Sequence, residues 1–203
     1  MHRIVVIGGG AGGLELVTRL GDLWGSKRRK PQAVVTLVDM NPTHLWKPLL
    51  HEIAAGSMDT AMEQLEYAAQ AKWHGFNFQQ GTLKQLDRAQ RCITLERKTD
   101  HLGEETTAEY TLEYDTLILA IGSVTHFFNV PGAEEHSFAL DSADQAERFR
   151  NHFINAYRTE PSDEAAKPLC VTVVGAGATG IELAAELCHT SQALSDYRLN
   201  PAH

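Results

Sequence analysis

The chain has 203 residues, enough for one complete domain or for one and part of a second. With 43% hydrophobic and 22% charged residues it can bury an ordinary core, which excludes disorder as a description of the whole. A net charge of −8 argues against a general nucleic-acid binder, which needs clustered Lys and Arg, and no run approaches the ~18 apolar residues of a membrane-spanning helix.

The first predicted element is a buried strand, Arg3-Ile4-Val5-Val6-Ile7, which runs into Gly8-Gly9-Gly10-Ala11-Gly12-Gly13 and then a helix opening at Leu14. The apolar run ahead of Gly8 is too short for a signal peptide. A loop over residues 21–32, with the basic run Lys27-Arg28-Arg29-Lys30, reads as solvated rather than as a lipid patch. The β-branched stretch 33–38 predicts a second buried strand ending at Asp39. Met58, Met62, Leu65 and Ala69 recur at helical spacing and predict a helix over 58–72. Cys92 to Leu95 and the alternating Tyr110, Leu112 and Tyr114 predict a β-hairpin, with the turn-prone residues 100–105 between them. Leu117-Ile118-Leu119-Ala120-Ile121 predicts a further buried strand, closed by Gly122. Ser142 with Gln145 resembles a capping box ahead of a helix with Ala146, Phe149, Phe153 and Tyr157 on one stripe. Residues 159–168 then read as a connecting segment.

The most informative feature is a repeat. Cys170-Val171-Thr172-Val173-Val174 runs into Gly175-Ala176-Gly177-Ala178-Thr179-Gly180 and a helix over about 179–195, in the same strand–turn–helix context as the first glycine run. One G-x-G-x-x-G is weak evidence of a nucleotide site, and a glycine turn without ligand is its alternative; two in this context are a strong signal. The start of a helix offers unpaired N–H groups and a positive dipole end to a diphosphate. Gly8 and Gly175 would make the tight turn, Gly10 and Gly177 admit the phosphates, and Gly13 and Gly180 let helix approach strand. Asp39 stands where a carboxylate can accept ribose hydroxyls; its distance of 31 residues from Gly8 exceeds the usual spacing of about 20, and the 21–32 loop accounts for the excess. A solvated Asp opening a turn is the alternative. The second turn is followed by no second strand, so the chain reads as an N-terminal fragment, with domains expected at 1–160 and 169–203 and a linker at 161–168.

Two dinucleotide turns on one chain resemble the two-dinucleotide-binding-domain flavoproteins. That resemblance implies an α/β fold: a Rossmann-type FAD-binding domain with a β-hairpin insertion, followed by the first βα of a truncated NADH-binding domain. The segment 114–123 resembles the strand-plus-glycine that passes near the flavin there, which adds Ala120 and Gly122 to the cofactor-binding candidates Gly8, Gly10, Ala11, Gly12, Gly13 and Asp39. Within the superfamily, Asp39-Met40-Asn41-Pro42-Thr43-His44-Leu45-Trp46-Lys47-Pro48-Leu49-Leu50-His51-Glu52-Ile53-Ala54-Ala55-Gly56 resembles type II NADH dehydrogenases, the single-subunit NADH:quinone oxidoreductases. Disulfide reductases of this architecture carry two close cysteines soon after the first βαβ; here none precedes Cys92, so a thiol relay is not expected and electrons are expected to leave the flavin for another acceptor, a gap that quinone fits.

The resemblance implies FAD and NADH as cofactors, quinone as acceptor, and no proton pumping. It also implies a place on the inner face of the cell membrane through a C-terminal region beyond these residues, and it leaves a homodimer open. It places Lys47 and Pro48 at the isoalloxazine, Leu83 at the adenine, Gly175, Gly177, Thr179 and Gly180 at the nicotinamide dinucleotide, and Glu182 between the two cofactors as a proton relay. Each has a plainer reading. Lys47 is equally a surface lysine, Leu83 equally a packed strand residue, and Glu182 shares a stripe with Glu186 and His189 that reads equally as a solvated face. Glu15, in the matching slot of the first helix, suggests a carboxylate at the helix's positive end. His44, Trp46 and His51 are expected to pack the loop. Three dispersed cysteines and ten scattered histidines predict no metal site. The alternatives are a flavin reductase with a soluble acceptor, such as a ferredoxin or oxygen, and an inactive nucleotide-binding fragment.

Overall fold

The computed structural model describes residues 1–59, 64–99, 105–158 and 169–197. In chain order the elements are β1 (His2–Ile7), α1 (Ala11–Trp24), β2 (Ala33–Asp39), β3 (Thr43–His44), a 3₁₀ turn (Lys47–Leu49), α2 (Leu50–Ala55), β4 (Leu65–Glu66), α3 (Tyr67–His74), β5 (Asn77–Gln80), β6 (Thr82–Asp87), β7 (Cys92–Thr99), β8 (Glu105–Glu113), β9 (Thr116–Leu119), α4 (Ala133–His136), α5 (Ala143–Arg158) and α6 (Ala178–Asp196). They fall into two compact units. The first comprises Met1–Leu45 and Gln64–Ser123, the second Trp46–Glu63 and Val124–His203.

The first unit is built on a four-stranded parallel sheet of order β5-β2-β1-β9. β1 and β2 are covered on both faces, which is why they read as continuous apolar runs rather than alternating ones. On one face Ile4, Val6, Val35 and Leu37 pack with Val17 of α1 and with Tyr67 and Ala71 of α3. On the other, Val5, Ile7 and Val38 pack with Ile93, Leu95 and Tyr114. That second cover is a three-stranded antiparallel sheet, β6-β7-β8. The strand order reverses between β1 and β9: two crossovers lead outward to β2 and then β5, and the chain returns across the other face to β9. Ligands of open α/β sheets sit at the carboxyl ends of the strands where this reversal occurs.

Several elements differ from the sequence expectation. The helix expected over 58–72 begins only at Tyr67, with residues 60–63 outside the described part. Leu65 and Glu66 pair instead with His44 and Thr43, and Leu65 is exposed, so a ladder formed across the fold overrides the local helical spacing. The expected hairpin strands are present as β7 and β8, and β6 extends them to three; of the expected turn, residues 100–104 lie outside the described residues. Tyr110, Leu112 and Tyr114 face the core as the alternation predicts. The strand expected over 117–121 is Thr116–Leu119, and α1 continues to Trp24, which shortens the expected 21–32 loop. β5 has no counterpart in the sequence reading, because Asn77 and Gln79 give it a polar face at the sheet's edge.

In the second unit α2 is almost wholly buried, through Leu50, His51, Ile53, Ala54 and Ala55, and packs against α5 and α6. Gly56 ends it in the left-handed region at φ +87°, and the Thr190 hydroxyl of α6 donates to the Ala55 carbonyl at 3.0 Å. The expected α5 stripe is present: Ala146, Phe153 and Tyr157 are buried, Phe149 stacks on Phe153, and the Tyr157 hydroxyl donates to Ser191 Oγ at 2.8 Å. The strand expected at 170–174 does not form. No ladder partner exists for it among the described residues, and Val171 and Val174 are exposed. A strand is defined by its neighbour, and local β propensity cannot supply one. The expected linker, 161–168, lies outside the described residues.

Candidate dinucleotide sites at two glycine turns

The first turn lies at the carboxyl end of β1. Gly8, at φ +100°, donates its N–H to the Val38 carbonyl at 2.8 Å, a left-handed backbone that glycine adopts without a steric penalty. A Cβ at Gly8 would meet the Ala120 carbonyl oxygen at 2.3 Å, and one at Gly13 would meet the Gly8 oxygen at 1.8 Å and the Ala120 methyl at 3.3 Å. Gly8, Gly13 and Ala120 therefore meet at one close-packed point where α1 crosses the sheet, as expected of Gly8 and Gly13. Gly10 caps α1 without a side-chain bond, and a Cβ on Gly10 or Gly12 would meet nothing within 4 Å. Gly10, Ala11 and Gly12 are exposed at the positive end of a 14-residue helix, whose first N–H groups have no intrahelical acceptor. Glu15 forms an ion pair with Arg19 at 2.6 Å on the exposed face, not a contact with the helix start.

Asp39 opens a turn, as its alternative reading expects, and also bonds the first glycine turn, which its sequence position did not reveal. One carboxylate oxygen accepts the Gly9 N–H at 2.7 Å and the other the Asn41 N–H at 2.8 Å. A carboxylate offers about four acceptor positions, so two remain for hydroxyl donors. The Gly9 carbonyl accepts the Tyr67 hydroxyl and His44 Nδ1, each at 2.8 Å. Tyr67 had no signal in the sequence, since only the β3–β4 ladder brings it under the turn. His44 packs the loop as expected. Burial first, and the Asp39 charge second, hold the Tyr67 phenol well above the ordinary tyrosine range, so it remains a donor. Leu83 pairs with Leu95 and is partly buried against the core under the antiparallel sheet, while Gly122 lies beyond β9 in the left-handed region at φ +71°.

The second unit carries the remaining candidates. Gly175 is left-handed at φ +113°, a Cβ at Gly180 would meet the Gly175 oxygen at 2.1 Å, and Gly175 and Gly177 open onto free space. Gly177 caps α6 with no side-chain bond, and Thr179 is exposed in its first turn. The two turns share the left-handed first glycine, an extended glycine N-cap and a third glycine packed on the first one's carbonyl, but of the two first glycines only Gly8 is crowded by a neighbouring segment, at Ala120. Lys47 and Pro48 are exposed in the 3₁₀ turn, and the Pro48 carbonyl meets His51 Nδ1 at 2.8 Å. His51, buried as expected of a packing residue, also brings Nδ1 to 3.6 Å from a carboxylate oxygen of the half-exposed Glu182. Among the described residues no group of His, Cys, Asp and Glu could hold a metal ion, and no helix is long and apolar enough to cross a membrane.

The pyridine nucleotide-disulphide oxidoreductase model matches residues 2–194. The chain belongs to that family. It is 40% identical to a type II NADH:quinone oxidoreductase of Haemophilus influenzae, over 97% of this chain and 47% of that protein. It is 28% identical to the type II NADH:quinone oxidoreductase Ndh of Mycobacterium tuberculosis, over 94% of this chain and 39% of that protein. The fold superimposes on NDH2 from Plasmodium falciparum with a TM-score of 0.77 at 23% identity, covering 97% of this chain and 39% of that one. The chain spans about half the length of the curated relatives it matches, or less.

Proposed function

We propose that this family member is the N-terminal part of a flavin-dependent NADH:quinone oxidoreductase. FAD, when bound, supplies a group that accepts a hydride from NADH and passes two electrons to quinone. The observation that carries the reading is the exposed, uncapped start of α1, where Gly10 and Gly12 leave open space at the strand-order reversal. Such a surface fits a diphosphate and leaves room for it.

Gly8, Gly10, Ala11, Gly12 and Gly13 would hold the FAD diphosphate, Asp39 the ribose hydroxyls through its two remaining acceptor positions, and Leu83, Ala120 and Gly122 the adjoining parts of the molecule. Gly175, Gly177, Thr179 and Gly180 would take the NADH diphosphate. Lys47 and Pro48 would lie along the flavin ring, Lys47 favouring its anionic reduced form by charge attraction. Glu182 would move the proton that quinol formation requires. The domains would divide at 1–160, 161–168 and 169–203. The whole protein would sit on the cytoplasmic face of the cell membrane, bound through sequence corresponding to the unmatched part of its relatives, and would leave proton pumping to other enzymes. A homodimer is compatible with this arrangement. Anaerobic addition of NADH to the FAD-loaded whole protein should bleach the flavin absorbance, and a short-chain quinone should restore it. A flavin that NADH reduces but quinone leaves reduced would instead point to a soluble acceptor.

A further inference from the structure

Gly9 is held from three sides within the first unit: its N–H by Asp39, and its carbonyl by the Tyr67 hydroxyl and His44 Nδ1, at 2.7, 2.8 and 2.8 Å. The Gly9 carbonyl and the Gly10 N–H belong to one peptide group. Hydrogen bonds donated to the oxygen draw electron density through the planar amide and leave its N–H more positive, which makes it a stronger donor. A carbonyl oxygen has two lone pairs, and here both are engaged. The two donors are shielded from competing water: Tyr67 is 3% exposed and His44 6%. The contact is also sterically committed, since a Cβ on Gly9 would meet the Tyr67 ring at 2.4 Å. The N–H of Gly10, on the far side of this peptide, belongs to the exposed N-cap residue of α1.

We infer that Tyr67 and His44 are positioning residues that polarise and orient the Gly9–Gly10 peptide, tuning the Gly10 N–H as a donor to a bound diphosphate. The inference rests on the reading of the first turn as a diphosphate site. It also explains why the chain interrupts a helical pattern at Leu65: the β3–β4 ladder pairs His44 with Leu65 and so sets both donors beneath the turn.

The test uses the ¹⁵N-labelled, FAD-free whole protein, with Tyr67→Phe, His44→Leu and His44→Asn as variants. Phenylalanine keeps the ring volume, and asparagine can return a donor near the position of Nδ1. Without ligand, the Gly10 amide proton should move upfield in Tyr67→Phe and His44→Leu and return toward wild type in His44→Asn. The dissociation constant for ADP should rise about threefold to tenfold in Tyr67→Phe, while that for adenosine, which lacks the diphosphate, stays unchanged. A Gly10 resonance that does not move in folded Tyr67→Phe and His44→Leu overturns the inference, as does equal weakening of ADP and adenosine. If the Gly10 shift appears as expected but wild type binds neither ADP nor FAD, the diphosphate reading of the turn fails instead.

Discussion

Asp115 ties the start of β9 to β1. Its carboxylate accepts the Arg3 backbone N–H at 2.7 Å and the Arg3 guanidinium twice at 3.2 Å, while the same guanidinium also meets Glu113. The guanidinium bonds chiefly, then the backbone N–H, hold the Asp115 carboxyl down at about 2, below the ordinary 3.8. Unfolding raises it to the ordinary value, so the contribution is complete above about pH 4 and is lost as pH falls from there toward 2. Urea midpoints of wild type should therefore drop more steeply between pH 4 and pH 2 than those of Asp115→Asn, which should be less stable than wild type at pH 7. Parallel slopes would show that the pair contributes nothing, as many exposed ion pairs do. Neither Arg3 nor Asp115 announces the pairing in the sequence, because they lie 112 residues apart and only the parallel register of β1 with β9 joins them.

At the start of α5 the local signal was sufficient. Ser142 Oγ accepts the Gln145 N–H at 3.3 Å, and the Gln145 side chain reaches back to the Asp141 N–H at 2.7 Å, one residue earlier than a regular capping box. Ser142→Ala should cost about 1 kcal/mol in chemical denaturation. Gln145→Ala combined with it should cost less than the two separate losses added together, since both serve one cap; strict additivity would mean that they act independently. Caps, buried parallel strands and the hairpin were legible because each depends on neighbours in sequence. β4, β5 and the 170–174 segment were not. Leu65 pairs across the fold, Asn77 and Gln79 disguise an edge strand, and the Val171-to-Val174 run has a strand's composition without a partner strand among the described residues.

Over the whole molecule, the glycine repeat carried the most information. The left-handed backbone of Gly8 is repeated at Gly175, and the close approach of Gly13 to the Gly8 oxygen is repeated by Gly180 on Gly175, as the sequence spacing predicted. What spacing could not reveal was the scaffold beneath: Asp39 bonded to the turn it was expected only to face, and Tyr67 and His44 closed on the Gly9 carbonyl. On the proposed function, the first turn grips the diphosphate of FAD. Gly12→Asp tests it most directly, because the open space at Gly12 accepts a side chain, whereas a carboxylate there would repel phosphate. An acidic residue in the first turn of α1 should leave ligand-free stability unchanged or raise it by about 0.3–1 kcal/mol. In equilibrium titrations followed by flavin fluorescence, wild type should bind FAD and Gly12→Asp should bind at least about tenfold more weakly. A folded Gly12→Asp protein that binds FAD as tightly as wild type would show that the first turn does not hold the diphosphate.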